Sequence, residues 1–98
     1  MESYAVLWTD QTDGVKAGKL ELRPECLRFD GPEVRRVPYG DVEGVRVGRR
    51  LAERIRGRPS LVLDLAGGRH LRVGSIGGAG TLHELAERVA LLTGGSTA

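Results

Sequence analysis

Aromatic side chains are scarce in these 98 residues: Tyr4, Trp8, Phe29 and Tyr39 are the full set, spread along the chain. So dispersed a set builds no row of stacking platforms, and no recognition-helix pattern accompanies it, which disfavours nucleic acid as a partner. Cysteine is almost missing as well. Cys26 stands alone, which excludes an intramolecular disulfide framework and fits a reducing compartment; it reads as a small buried hydrophobe. His70 and His83 are the only imidazoles, and with one cysteine they make no zinc-ligand spacing, so neither a metal nor a cofactor is expected. The longest apolar run, Tyr4 to Trp8, is five residues. That is far short of a membrane span, and MESYAVLWTD has neither a basic leader nor a long apolar stretch to act as a signal peptide. The expected location is cytoplasmic, or peripheral at the inner face of a membrane.

Lysine is represented only by Lys16 and Lys19, and thirteen of the fifteen basic residues are arginine. Their distribution is uneven. Arg49, Arg50, Arg54, Arg56 and Arg58 face one acid, Glu53, between residues 49 and 58, a local balance of +4 that leaves −2 for the rest of a chain whose net charge is +2. A general polyanion binder would not carry that remainder. Arginine forks engage phosphate or carboxylate through paired hydrogen bonds, so this stretch is a candidate grip for an anion. The competing reading is a solvated loop whose arginine stems lie over the sheet. Leu51 and Ile55 are four apart, as are Arg49 and Glu53, which predicts a short docked helix with both apolar residues facing down and the arginines outward.

The remainder has the period of a small sheet protein. Tyr4, Val6 and Trp8 mark a first strand, and the polar run from Asp10 to Gly18 reads as a loop. Leu20 and Leu22 alternate with charged residues, Pro24-Glu25 turns, and Leu27 and Phe29 return. After Asp30-Gly31-Pro32, the adjacent arginines and Pro38 of EVRRVPY predict a bulged or edge strand. Val45 and Val47 form another strand. SLVLDLAGGRHLRV is the clearest hairpin: Leu61, Leu63 and Leu65 share a face, Gly67-Gly68 is a two-residue turn, and Leu71 and Val73 return. Beyond Gly74 the period becomes helical, with Leu82, Leu85, Ala86, Val89 and Leu92 on one stripe. Thr81 and Glu84 form a capping box at the helix start and Gly94 is the stop. The expected fold class is therefore mainly β: about seven antiparallel strands in two packed sheets, a barrel or sandwich, capped by one carboxyl-terminal amphipathic helix. The domain is expected to occupy residues 1–93, with residues 94–98 expected as a flexible tail.

Sequence signals for catalysis are weak. GSIGGAGT precedes a helix but lacks the lysine of a P-loop and the spacing of a dinucleotide fingerprint, and Glu84 would repel a phosphate there. Ser60 and Ser75 have no positioned base in the pattern, and His70 and His83 fall on polar faces. An enzyme is not expected.

The segments GKLELRPECLRF, RVPYGDVEGVRV, SLVLDLAGGRHLRV and TLHELAERVALL, in that order, resemble the pleckstrin-homology-like superfamily, in particular its GRAM-like and bacterial members, over residues 4–93. Another small barrel closed by a helix has the same spacing. The resemblance implies a binding module without catalysis, directed at proteins or peptides in many members and at phosphoinositide or anionic lipid in others. Members that hold inositol phosphates place a lysine and a basic-x-arginine triplet around the first interstrand loop. Lys16, Lys19 and Arg23 fall there, but Glu21 replaces one basic residue, and Asp10 and Asp13 stand in the loop. A protein partner, by strand addition at Val34 to Tyr39 or by self-association, is the leading expectation. The alternative is an anionic phospholipid or other phosphate ligand held by Arg49, Arg50, Arg54, Arg56 and Arg58, with Lys16, Lys19 and Arg23 as a second contact.

Overall fold

The computed structural model describes residues 2–10, 14–77 and 79–94; Asp13 and residues 95–98 of the expected tail lie outside them. Its elements are strands β1 (Glu2–Thr9), β2 (Lys16–Leu22), β3 (Cys26–Asp30), β4 (Val34–Pro38), β5 (Val42–Gly48), β6 (Ser60–Leu65) and β7 (Arg69–Ser75), then helix α1 (Ala79–Thr93). Seven antiparallel strands make one sheet in the order β4-β3-β2-β1-β7-β6-β5. The protein is thus mainly β with one carboxyl-terminal helix. Where two sheets were expected, hydrogen bonding runs through all seven strands. The reason is β1: its eight residues are long enough to pair Glu2–Trp8 with β2 and Val6–Thr9 with β7.

Connection lengths dictate the curvature. Strands β4 and β5 are the two edges of the sheet, and laid flat they would stand about 29 Å apart at about 4.8 Å per strand. Only a single 3₁₀ turn, Tyr39–Asp41, joins them, and the steps from Pro38 to Val42 reach at most about 14 Å. The sheet must therefore curl until its edges approach at that end. No hydrogen-bonded ladder joins β4 to β5 among the described residues, so the sheet stays open.

Curling turns one face inward, and period two fills it. Val6, Leu20, Leu27, Phe29, Leu61, Leu63, Leu71 and Val73 are fully buried, and Trp8 packs its ring 5.2 Å from that of Phe29. Helix α1 supplies Leu82, Leu85, Ala86, Val89 and Ala90 to the same core and rests on β5, β6 and β7. Cys26 is buried as a free thiol.

Several local expectations change: β2 already begins at Lys16, inside the stretch from Asp10 to Gly18 expected as loop, and Leu92 of the expected apolar stripe is exposed. Of the bulged or edge strand expected at EVRRVPY, β4 is the edge strand, with regular pairing to β3; the bulge lies in β5 instead, between Val42 and Gly44. Pairing of Leu65 with Arg69 leaves Ala66, Gly67 and Gly68 as a three-residue turn, with φ of 85° and 75° at the glycines; the Ala66 N–H is taken by the Asp41 carbonyl at 2.9 Å. Helix α1 begins at Ala79, so Thr81 sits inside the first turn and cannot cap it from outside.

Candidate functional site

The arginine stretch is neither an α-helix nor a free loop. After β5 the chain makes one 3₁₀ turn at Leu51–Glu53. It then forms a tight hairpin in which Ile55 and Arg58 exchange backbone hydrogen bonds of 2.9 and 3.0 Å. Arg56 and Gly57 form the tip with φ of 52° and 79°, the conformation of a type I′ turn. Of the two apolar residues expected to face down, only Ile55 does so, being buried. Leu51 is 84 % exposed. A 3₁₀ turn of three residues has no second turn to bring positions four apart onto one face, so Glu53 does not meet Arg49; it pairs with Arg46 of β5.

Several contacts hold this segment against the outer face of the sheet. Ile55 lies over Gly74, where an added Cβ would stand 3.6 Å from the isoleucine. Arg72 donates to the Ala52 carbonyl at 2.8 Å, and Ser60 Oγ donates to the Glu53 carbonyl at 2.5 Å. The hydrogen bond from Arg46 is the main cause that holds the Glu53 carboxyl below its ordinary range, against a smaller opposing effect of burial. Val62 is consequently buried on the face opposite Leu61 and Leu63. An added Cβ at Gly48 would lie 2.8 Å from both the Glu53 Cβ and the Val62 Cγ2.

This placement brings separate parts of the sequence together. A cavity of about 350 Å³ opens between Val47, both arms of the connection at Arg49 and Arg58, the β7 end at Ser75 and Gly77, and the first turns of α1 at Leu82 and His83. Arg49 Nη2 lies 3.3 Å from His83 Nε2; a guanidinium has donors only, so Nε2 accepts. Arg54 turns back to donate to the Arg49 carbonyl at 3.0 Å. A neighbouring hollow of about 470 Å³ takes in Arg56, Arg58, Ser75, Ile76 and Ala17. Arg56 and Arg58 have no carboxylate within ion-pair distance among the described residues, whereas Arg50 stands near the Glu53 carboxylate and helps to lower its pKa. The cavity is therefore lined by two arginines, a histidine, a serine and the apolar Val47, Pro59 and Leu82, a set suited to an anion carrying oxygen acceptors. The helix start and His83, which the sequence alone assigns to an unrelated turn and a surface, line the same space. No period or spacing rule links positions 49, 58 and 83.

The second group of basic residues is distributed otherwise. Lys16 opposes Trp8 and Lys19 opposes both Ala5 and Asp30 in the ladders of β2; three positions apart, they point to opposite faces. Arg23 lies past the other end of β2, 3.7 Å from Glu21 and 4.0 Å from Glu25. Its carbonyl accepts from the Tyr39 hydroxyl at 2.5 Å. Burial, aided by nearby Cys26 and Glu25, raises that hydroxyl's pKa above its ordinary value. None of the three lines the cavity at Arg49 and Arg58. On the outer face, His70 Nδ1 meets Asp64 Oδ1 at 2.6 Å and Arg46 approaches Asp64 at 4.0 Å. No group of three or more metal-ligating side chains occurs among the described residues, and no described helix is long and apolar enough to cross a membrane. No family model matches the chain, and a search of curated proteins finds no match.

Proposed function

We propose that this chain is a non-catalytic binding module that recognises a phosphate-bearing anion in the cavity between the arginine segment and the start of α1. The observation that carries this reading is that Arg49 and Arg58, nine positions apart, line one cavity with His83. Two arginines lining one space, with the sole acid of the segment already engaged by Arg46, favour an anionic occupant. The Ser75 hydroxyl already accepts from the Gly77 N–H at 3.1 Å, an arrangement that suits positioning more than nucleophilic attack. We read the fold as pleckstrin-homology-like, with the curled sheet acting as two packed layers and α1 closing them; the strand order and the terminal helix support that reading. Titration of inorganic phosphate or pyrophosphate, followed by amide chemical shifts, tests the proposal. Shifts confined to residues 47–59, 75–77 and 82–83, and lost in R49Q/R58Q, are expected; unshifted spectra refute it.

Strand addition at β4 is a second reading. Among the described residues strand β4 pairs with β3 alone, and Val34 on it is 46 % exposed, so a partner strand or a second copy has a backbone edge to join. Concentration-dependent sedimentation, abolished by a proline at Arg36, would favour it.

A further inference from the structure

We infer that the arginine segment docks the protein on an anionic lipid bilayer, with Leu51 entering the headgroup layer as an apolar wedge. The inference rests on the anion-binding reading above and names the source of the phosphate.

Leu51 is 84 % exposed, at the start of the 3₁₀ turn that also carries Arg50 as its flanking residue. Arg54 folds back to the Arg49 carbonyl, so its guanidinium lies beside the Arg49–Arg50 backbone that leads into the turn from which Leu51 projects. Glu53, the one acid within the stretch, is tied to Arg46. An isolated leucine is far too small to be the centre of a protein interface, which needs several hundred Å² on each partner. It suffices when charge does the attracting: each basic side chain near an anionic bilayer strengthens attachment about fivefold, and an apolar side chain buried among the headgroups adds to it. The backbone around Leu51 is held by Arg72 and Ser60, so the wedge is presented without an ordering cost at contact. Leu91 is an internal comparison. It is 83 % exposed but lies near the carboxyl end of α1, outside the arginine segment. If exposure of a leucine alone were enough, the two would behave alike; if the arginine surround matters, only Leu51 will count.

The test uses the full chain and sedimentation with vesicles of phosphatidylcholine, with or without phosphatidylserine, over a salt series. Wild type should bind only the anionic vesicles, and less as salt rises. Leu51→Ser should weaken binding about five- to tenfold, and Leu91→Ser should leave it unchanged. Leu51→Trp should show a blue-shifted emission component on anionic vesicles that wild type lacks. The exposure of Leu51 and of Leu91 makes all three variants foldable, which circular dichroism checks. Equal loss in L51S and L91S, or no blue shift, overturns the wedge, as does self-association that L51S abolishes. Inorganic phosphate titration separates the two readings: L51S should shift as wild type does. Failure of phosphate to shift wild type refutes the cavity and removes the ground for a phosphate-bearing bilayer, whereas phosphate binding without vesicle binding refutes only the wedge.

Discussion

Ile55→Ala is the perturbation that most directly tests how the arginine segment is held. Ile55 is the only buried side chain between Arg49 and Pro59 and sits over the bare backbone of Gly74. Alanine removes three carbons, worth about 2.4 kcal/mol at about 0.8 kcal/mol each. Any hole that the hairpin cannot collapse into adds to this. The expected cost is therefore about 2–3 kcal/mol, a fall in melting temperature of roughly 10–20 °C for a domain of this size. Part of that loss should be local. The hairpin can detach while the sheet stays folded, because its other anchors are polar contacts such as Arg72 to the Ala52 carbonyl. Hydrogen exchange should accordingly rise at the Ile55 and Arg58 amides before it rises in β6. Phosphate-induced shifts should weaken although no arginine has been changed, since Arg58 loses its placement at the cavity. Urea denaturation, amide exchange and phosphate titration on one sample set measure all three. A cost under about 0.5 kcal/mol, the size of an ordinary surface substitution, with phosphate shifts retained, would refute the reasoning that Ile55 is the anchor.

Arg56→Gly should stabilise by about 0.5–1 kcal/mol in urea denaturation: relief of a left-handed conformation, about 1–2 kcal/mol, outweighs the greater chain entropy that glycine loses on folding. The pH dependence follows from Glu53. Its folded pKa is lowered from the ordinary 4.5, chiefly by the Arg46 hydrogen bond, so its contribution to stability is complete above that value and is lost as pH falls through the lower folded value. Thermal melts of Glu53→Gln should therefore show a shallower decline below pH 4.5 than wild type. Leu85→Ala, at a fully buried position of α1, should cost about 2–5 kcal/mol by chemical denaturation, and a near-neutral result would mean that the helix does not close the core.

Alternation at Leu20, Leu22, Leu61, Leu63 and Leu65, and the stripe at Leu82, Leu85 and Val89, were legible because local period decides which side chains share a face. The hairpin turns were legible nearly to the residue. The error at Gly67-Gly68 was one position, since Ala66 also leaves the ladder to bond Asp41. Less could be read where a segment's partner is distant in sequence. Burial of Val62 requires the 49–59 connection to fold back over it, and the cavity requires Arg49, Arg58 and His83 to meet. Neither contact leaves a periodic trace.

The chain by itself determined seven strands, one helix, a single buried thiol and an arginine concentration between residues 49 and 58, because these depend on side-chain period, turn chemistry and composition. Tertiary structure decided that β1 would join both halves of one curled sheet, and that Ile55 would bury while Leu51 faced outward. It also decided which arginines share a cavity with a histidine. Those outcomes come from packing between segments far apart in sequence, where a short connection such as Tyr39–Asp41 and the space above Gly74 select the arrangement.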